Sequence, residues 1–207
     1  MTSLLPSTQL ETLPIPGATI AYAEAPDFGR SPAGIFDELR STIDWKHEAI
    51  TIGGRKIMQP RLTAWYGDPG AAYAYSGLAL TPAAWTPLLA ALKSRVEAIT
   101  AATFNSALLN LYRGERDSVG YHADNEPELG PRPTIASLSF GAERDFGLKP
   151  KRHQSGQPRK LRLASGSLLV MAGDTQKNWL HGIEKLNVPC APRINITFRK
   201  IIRTRAA

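Results

Sequence analysis

The chain has one cysteine, Cys190, in 207 residues, so it closes no disulfide within itself and builds no thiolate metal cage. Any metal must be held by His, Asp or Glu. No apolar run approaches the roughly 18 residues that would suggest a membrane-spanning helix. The opening "MTSLLPSTQLETLPIPG" has neither the basic start nor the long apolar stretch of a secretory leader, so the expectation is a cytoplasmic protein with no membrane partner. An acidic excess is also missing: 25 Lys and Arg stand against 18 Asp and Glu, a net charge of +7. That balance suits a polyanionic partner without establishing one. With 43% apolar residues the chain can bury one core, so a single domain over residues 1–207 and a monomer are expected.

Residues 1–30 are rich in Pro, Thr and Gly and show no helical period, so they read as an irregular arm lying over the domain. A first helix is predicted from Ser31 as N-cap and Pro32 at N1, with Ile35, Phe36, Leu39 and Ile43 as its apolar stripe. A second is predicted from Thr81 and Pro82, with Leu88, Leu89, Leu92, Val96 and Ile99 at helical spacing and Pro87 restricting its first turns. The remainder reads as strands. "EAITIGGRKIM" turns at Gly-Gly, and "ALLNLYR", "TIASLSFG", "KLRLA", "SLLVMAG" and "RINITFRKI" are short apolar or alternating runs between Gly, Pro, Asp and Ser. Many short strands with two helices give an α+β, mainly β, class: a sandwich or barrel with helices on one side. "KPKRHQSGQPRK" (149–160) is a basic insert with no apolar period and reads as a mobile hairpin loop with a solvated face.

The stretch "GYHADNE" (120–126) concentrates the metal-binding chemistry. In extended backbone, side chains two residues apart share a side with Cβ atoms roughly 6–7 Å apart, so His122 and Asp124 can meet one ion. Of the other histidines, His47 falls at or beyond the end of the first helix and His153 in the basic insert. His181 follows the predicted strand "SLLVMAG" and is the natural third ligand. Two histidines and one carboxylate on one face of an ion form the facial arrangement of non-haem Fe(II) oxygenases, which leaves positions open for co-substrate and O2. A His-x-Asp pair alone also fits an ordinary surface turn.

The C-terminal run "PRINITFRK" supplies a second pattern. Its period of two puts Arg193, Asn195, Thr197 and Arg199 on one face and Ile194, Ile196 and Phe198 on the other. An edge strand with its polar face in water would read the same way. Two arginines on the inner face of a closed barrel would instead need an anionic partner. Beside an open iron site that partner reads as a dicarboxylate, 2-oxoglutarate, because a guanidinium meets a carboxylate as a fork that lysine cannot form. Asn110 and Tyr112 share a face in "NLY" and can hydrogen-bond the same co-substrate.

With these residues in hand the chain resembles the AlkB family of Fe(II)- and 2-oxoglutarate-dependent nucleic acid dealkylases. The likeness is carried, in order, by "PRLTAWYG" (60–67), "YAYSGL" (73–78), "TFNSALLNLYR" (103–113), "DSVGYHADNEPELG" (117–130), "IASLSFGAERDF" (135–146), "SGSLLVMAG" (165–173), "WLH" (179–181) and "PRINITFRKI" (192–201). Its nearest likeness is to the family's DNA- and RNA-dealkylating members, above all those favouring single strands.

The resemblance implies a double-stranded β-helix, the jelly-roll or cupin-like barrel, with residues 45–80 as a nucleotide-recognition region and 105–201 as the catalytic barrel. It implies Fe(II) on His122, Asp124 and His181, and 2-oxoglutarate held by Asn110, Tyr112, Arg193, Asn195 and Arg199. Arg193 would take the distal carboxylate, and Arg199 would help hold the end that chelates iron. O2 is then reduced while the co-substrate decarboxylates to succinate, and an N-methyl group is oxidised and lost as formaldehyde. For cationic 1-methyladenine or 3-methylcytosine in methylated single-stranded DNA, with RNA and duplex DNA as further partners, Tyr75 would stack the flipped base opposite His122. Tyr73 and Arg61 would line the entrance, Glu126 would complement the cation, and Arg55 would meet a phosphate. Asn125 stands where related chains carry a second acid, which leaves more to Glu126. Gly53 and Gly54 stand where a duplex-acting relative carries an aromatic wedge. Two other readings keep the same residues: an oxygenase of this fold acting on a protein or small molecule, and a nucleic-acid-binding protein with a vestigial site.

Overall fold

A computed structural model describes residues 9–52, 54–71, 73–75, 78–80 and 82–202, with the backbone alone for 52, 73–75 and 78–80. In chain order the elements begin with β1 (Glu11–Leu13), β2 (Thr19–Ala23) and α1 (Pro32–Thr42). Then come β3 (Ala49–Ile52), β4 (Arg55–Met58), β5 (Leu62–Gly67), β6 (Tyr73–Tyr75), β7 (Leu78–Leu80) and α2 (Pro87–Thr100). The second half holds β8 (Ser106–Tyr112), β9 (Val119–His122), β10 (Ile135–Gly141), β11 (Arg144–Pro150) and β12 (Arg159–Leu163). It ends with β13 (Leu168–Ala172), α3 (Thr175–Asn178), β14 (Trp179–Ile183) and β15 (Arg193–Arg199). The strands form a seven-stranded sheet, β1-β2-β13-β10-β15-β8-β5, and a four-stranded sheet, β12-β11-β14-β9, all antiparallel. This is the expected double-stranded β-helix.

Alternation decides what each face of the larger sheet does. Ile194, Ile196 and Phe198 of β15 join Ala107, Leu109 and Leu111 of β8 and Ala136, Leu138 and Phe140 of β10 in a core with Ile35 and Leu39 of α1 and Leu89, Leu92 and Val96 of α2. Both helices therefore cover one face, as expected. The other face meets the smaller sheet through a second cluster that includes Ile135, Leu169 and Met171 on one side and Phe146, Leu148, Trp179 and Ile183 on the other. Among these apolar groups the same inner face carries Arg193, Asn195, Thr197 and Arg199, all buried. They are therefore not the solvated face of an edge strand.

Helix α1 starts where its sequence places it, with the Ser31 side chain accepting from Gly34 N and Pro32 at the first position. Helix α2 starts later than predicted. Thr86 caps it by accepting from Leu89 N, and Pro87 opens the helix instead of restricting it, because its fixed φ suits the first turn. Ala83 is already committed to β5, donating to Trp65 O and accepting from Gly67 N, so the residues after Pro82 cannot coil. The proposed cap Thr81 lies outside the described residues.

The arm is not irregular throughout. β2 pairs with β13 and β1 with β2, extending the larger sheet, and the turn between them accepts from the smaller sheet's end through Trp179 Nε1 to Pro16 O at 3.0 Å. The basic insert lies at the β11–β12 hairpin, its ends belonging to the two strands and residues 151–158 forming the loop. It touches the arm through Gln154 Nε2, which donates to Pro16 O at 3.2 Å. Among the described residues no helix is long and apolar enough to cross a membrane.

Ile196→Ala tests the face assignment. Ile196 is 0% exposed between the sheet and the helices. Its truncation is expected to lower unfolding free energy by about 2–5 kcal/mol in urea titrations. A loss well below about 1 kcal/mol would mean that the helices do not rest on that face.

Candidate active site

His122 ends β9 and His181 sits mid-β14, and the two are direct cross-strand partners. Strand pairing therefore does what no sequence spacing reveals: it places two histidines 59 residues apart with ring centroids 4.4 Å from each other. Asp124 lies just past the end of β9, its Oδ1 3.7 Å from His122 Nε2. The ligand atoms of the three residues all fall within 4.8 Å of one another. His122 Nδ1 lies 2.8 Å from Gly120 O. A carbonyl only accepts, so Nδ1 carries the proton and Nε2 keeps its lone pair for a metal.

Electrostatics favour the ligand-ready forms. Burial pushes the Asp124 carboxyl up, but the Arg199 guanidinium, with lesser help from the two histidines, outweighs it and holds the pKa at about 2. For His181, burial and then the neighbouring His122 bring the pKa down to about 3, so its imidazole is neutral at pH 7. The stacked Phe146 ring, 5.3 Å away at 19°, adds apolar shielding.

This triad borders a cavity of about 40 Å³ that opens to solvent. Arg61, Asn110, Tyr112, Arg193, Asn195 and Arg199 all line it. Arg193, 2% exposed, donates from Nη2 to Ser139 Oγ at 2.9 Å, whereas its Nε and Nη1 have no hydrogen-bond partner. Burial holds its pKa below the ordinary value, yet arginine stays charged. The Tyr112 ring is near it and near a second buried guanidinium, with centroid distances of 5.3 Å to Arg193 and 5.9 Å to Arg144. Three arginines and one carboxylate line the cavity among the described residues. The donor set fits a divalent ion, and the surplus of cations with spare N–H groups fits a dianion beside it.

Several predicted residues sit differently from their expected roles. Arg61 is not at an entrance: it is 4% exposed, with Nε on Asn110 Oδ1 at 2.6 Å and Nη1 on Ser118 O at 3.2 Å. Asn195 lines the cavity with its amide engaged, donating to Ser137 Oγ and Leu138 O and accepting from Thr197. Arg55 is exposed on β4, and Glu126 follows the triad with a buried Oε2 that has no hydrogen-bond partner. The side chains of Tyr73 and Tyr75 lie outside the described residues. Of the other histidines, His47 bonds Gln59 O and His153 bonds Asn178 Oδ1, and neither joins the cluster.

Sequence reasoning missed two buried contributors. Arg144, 2% exposed, donates to the carbonyls of Gly114, Asp117 and Glu184 and so ties the turn before β9 to the end of β14. Gln176 reaches Asp124 from α3. A polar residue five positions before His181 was the available signal, and it carries no period.

The comparisons agree with this geometry. The 2OG-Fe(II) oxygenase superfamily model matches residues 30–199. The alpha-ketoglutarate-dependent dioxygenase alkB homolog 3 of Homo sapiens is 43% identical over 81% of this chain, which spans 60% of that protein's length. The DNA oxidative demethylase ALKBH2 of Mus musculus is 41% identical over 86% of this chain and 79% of its own, and the Arabidopsis thaliana protein of that name is 39% identical over 81% and 61%. A solved structure, that of OsALKBH1, superposes with a TM-score of 0.62 over 93% of this chain and all of its own at 17% identity, which bears on the fold alone. A jelly roll with a His-Asp-His cluster beside buried arginines, matched by these relatives over most of its length, belongs to the AlkB family of the 2OG-Fe(II) oxygenase superfamily.

Proposed function

We propose that the chain is an Fe(II)- and 2-oxoglutarate-dependent dioxygenase that demethylates N-alkylated bases of the 1-methyladenine and 3-methylcytosine type in DNA. It takes single strands before duplexes, with RNA as a further substrate, and works as a cytoplasmic monomer. The observation that carries the reading is one cavity lined both by three clustered metal-type ligands and by a buried arginine with spare donors. The substrate class is supported by the relatives' names and by a basic hairpin, β3–β4, on which Arg55 and Lys56 are exposed.

In this reading His122, Asp124 and His181 hold the iron, and residues 105–201 form the catalytic barrel. Bound there, iron and 2-oxoglutarate would let O2 serve as the oxidant, one oxygen atom going to succinate as the co-substrate loses CO2 and the other to the N-methyl group, which leaves as formaldehyde. Arg193 pairs with the distal carboxylate, and Tyr112 and Asn110 border the same space. Arg199 holds Asp124 Oδ2 at 2.8 and 3.1 Å and leaves Oδ1 on the His122 side. Residues 45–80 recognise the nucleotide. Tyr73 and Tyr75 from that region, with Glu126 from the barrel, receive the cationic base, and Arg61 acts from inside by fixing Asn110.

Purified protein with Fe(II), ascorbate and 2-oxoglutarate should release formaldehyde from methylated oligonucleotides, with the repaired base identified by mass. Succinate formation without any change in the oligonucleotide would point instead to a protein or small-molecule substrate. His181→Ala is expected to abolish turnover and Mn(II) binding, since two ligands do not complete a facial site. Near-normal formaldehyde release with excess iron would refute the metal assignment. Arg193→Lys exchanges a planar set of donors for a point charge. It should raise half-saturating 2-oxoglutarate about ten- to a hundredfold, the range of a charged hydrogen bond worth about 1.5–3 kcal/mol. Oligonucleotide affinity should stay unchanged, and the reverse pattern would assign the strand to the nucleic acid surface.

Strand preference rests on the hairpin. Ile52 pairs with Arg55, and Gly54 takes a φ of 77°, the left-handed region that favours glycine. Gly53 lies outside the described residues, but its identity alone means that no aromatic side chain is available there to fill the gap left by a flipped base. Unstacking and unpairing cost a few kcal/mol, so at fixed salt a methylated single strand should turn over at least about tenfold faster than the same lesion in a matched duplex. Gly53→Phe should narrow that ratio. Equal rates for the unmodified protein, measured below saturation, would show that another residue does the wedging.

A further inference from the structure

β9 ends at His122, so Asp124 lies beyond the ladder that fixes the histidines. Its backbone is held by a side chain instead. Gln176, 2% exposed on α3, accepts a hydrogen bond from Asp124 N through Oε1 at 2.9 Å. The amide's other end, Nε2, faces Met171 Sδ at 3.5 Å. Reversing the amide would set one N–H against another, so this orientation is the only one that satisfies the buried donor.

Gln176 is itself firmly seated. Its main-chain carbonyl accepts from Lys151 Nζ at 2.9 Å, and Asn178 O accepts from Lys151 N at 2.8 Å. The preceding Thr175 hydroxyl donates to Ala172 O at 2.6 Å, and Asn178 Nδ2 donates to Gly17 O at 2.7 Å. Four contacts from three directions thus pin a four-residue helix that would not persist alone. At the far end of Asp124, Arg199 holds Oδ2. Main chain and carboxylate are each fixed once.

We propose that Gln176 is a positioning residue for the metal centre: by anchoring the Asp124 main chain it sets the direction from which Oδ1 meets the ion. The proposal rests on the metal-site reading above. Losing a partner that orients a ligand costs metal affinity, because the ligand must then be ordered on binding.

The test titrates the full chain with Mn(II), followed by electron paramagnetic resonance, and records the absorption bands of the Co(II)-loaded protein. Gln176→Met keeps the length and volume of the side chain and removes the acceptor; Gln176→Glu keeps an acceptor at the same reach. The expected result is a ten- to a hundredfold weaker Mn(II) affinity with shifted Co(II) bands for Gln176→Met, and a change within about threefold for Gln176→Glu. Unchanged affinity in Gln176→Met, or equal losses in both variants, would overturn the proposal, the second outcome showing that only packing is at stake. Failure of the unmodified protein to bind Mn(II) would overturn the metal site itself. Should Gln176→Met not fold, amide hydrogen exchange in the unmodified protein decides: the Asp124 N–H should be protected like the β-ladder amides, and exchange at an open-loop rate would refute the anchor.

Discussion

The contact between Arg199 and Asp124 joins the two halves of the site. Arg199 ends β15 in the larger sheet, Asp124 lies two residues beyond the end of the smaller sheet's β9, and their 2.8 Å ion pair is nearly closed to solvent on both sides. Taken alone, such a pair contributes little to stability, since the desolvation of both ions offsets most of their attraction. Its consequence is geometric. One carboxylate oxygen is committed to the guanidinium, so the other can face the histidines, and the strand that bears Arg193 is locked to the segment that bears the proposed metal ligands.

From that contact the division of labour between the sheets follows. The smaller sheet supplies His122 and His181 by direct cross-strand pairing, and the larger sheet supplies the cations. A metal dication and a dianionic co-substrate add no net charge to a cavity already positive, so binding both leaves the local balance intact while giving the buried Arg193 donors a partner. The helices and their apolar contacts on the opposite face carry the stability that this polar interior does not. α3 and the arm stand between these roles. The arm adds Ile15, Ile20 and Phe28 to the core, and α3, tied to it through Asn178 and Gly17, fixes the one residue of the cluster that no strand holds.

How much of this was legible in the sequence depends on whether a period exposed it. The two faces of β15 could be read residue by residue because a strand alternates, and Ser31 and Pro32 announced α1 because capping is local chemistry. The start of α2 could not be read so well. Thr81-Pro82 and Thr86-Pro87 are equivalent signals, and the choice between them is made by the pairing of Ala83 with β5, a contact remote in sequence. β1 and β2 were hidden for a similar reason: three and five residues long and flanked by Pro and Gly, they become strands because β13 offers an edge. The site shows the same split. His-x-Asp and the alternating arginines were visible, whereas the partnership of His122 with His181 and the reach of Gln176 to Asp124 exist only once the chain has folded. Arg61 was placed at the entrance by the resemblance alone, and its burial became intelligible only with Asn110 and Ser118 as partners.

The arrangement separates what must be exact from what is free to vary. The residues proposed to meet the ion are held by ladders, by Arg199 and by Gln176, and in that reading a shift of an ångström there would alter the coordination directly. The β3–β4 hairpin is attached differently. Its base is tied to β5 through paired bonds between Lys46 and Thr63, while Ile57 and Met58 stand 46% and 49% exposed on it. Large apolar side chains left in water on a projecting hairpin gain from any flat apolar partner, and an unstacked base is one. Among the described residues the hydrogen bonds to the barrel come from the base of the hairpin, so exposed residues nearer its tip can change without disturbing the strands that carry His122 and His181. In the proposed dealkylase, strand preference is therefore set by a few exposed residues on the hairpin, and the oxidation by buried ones in the barrel.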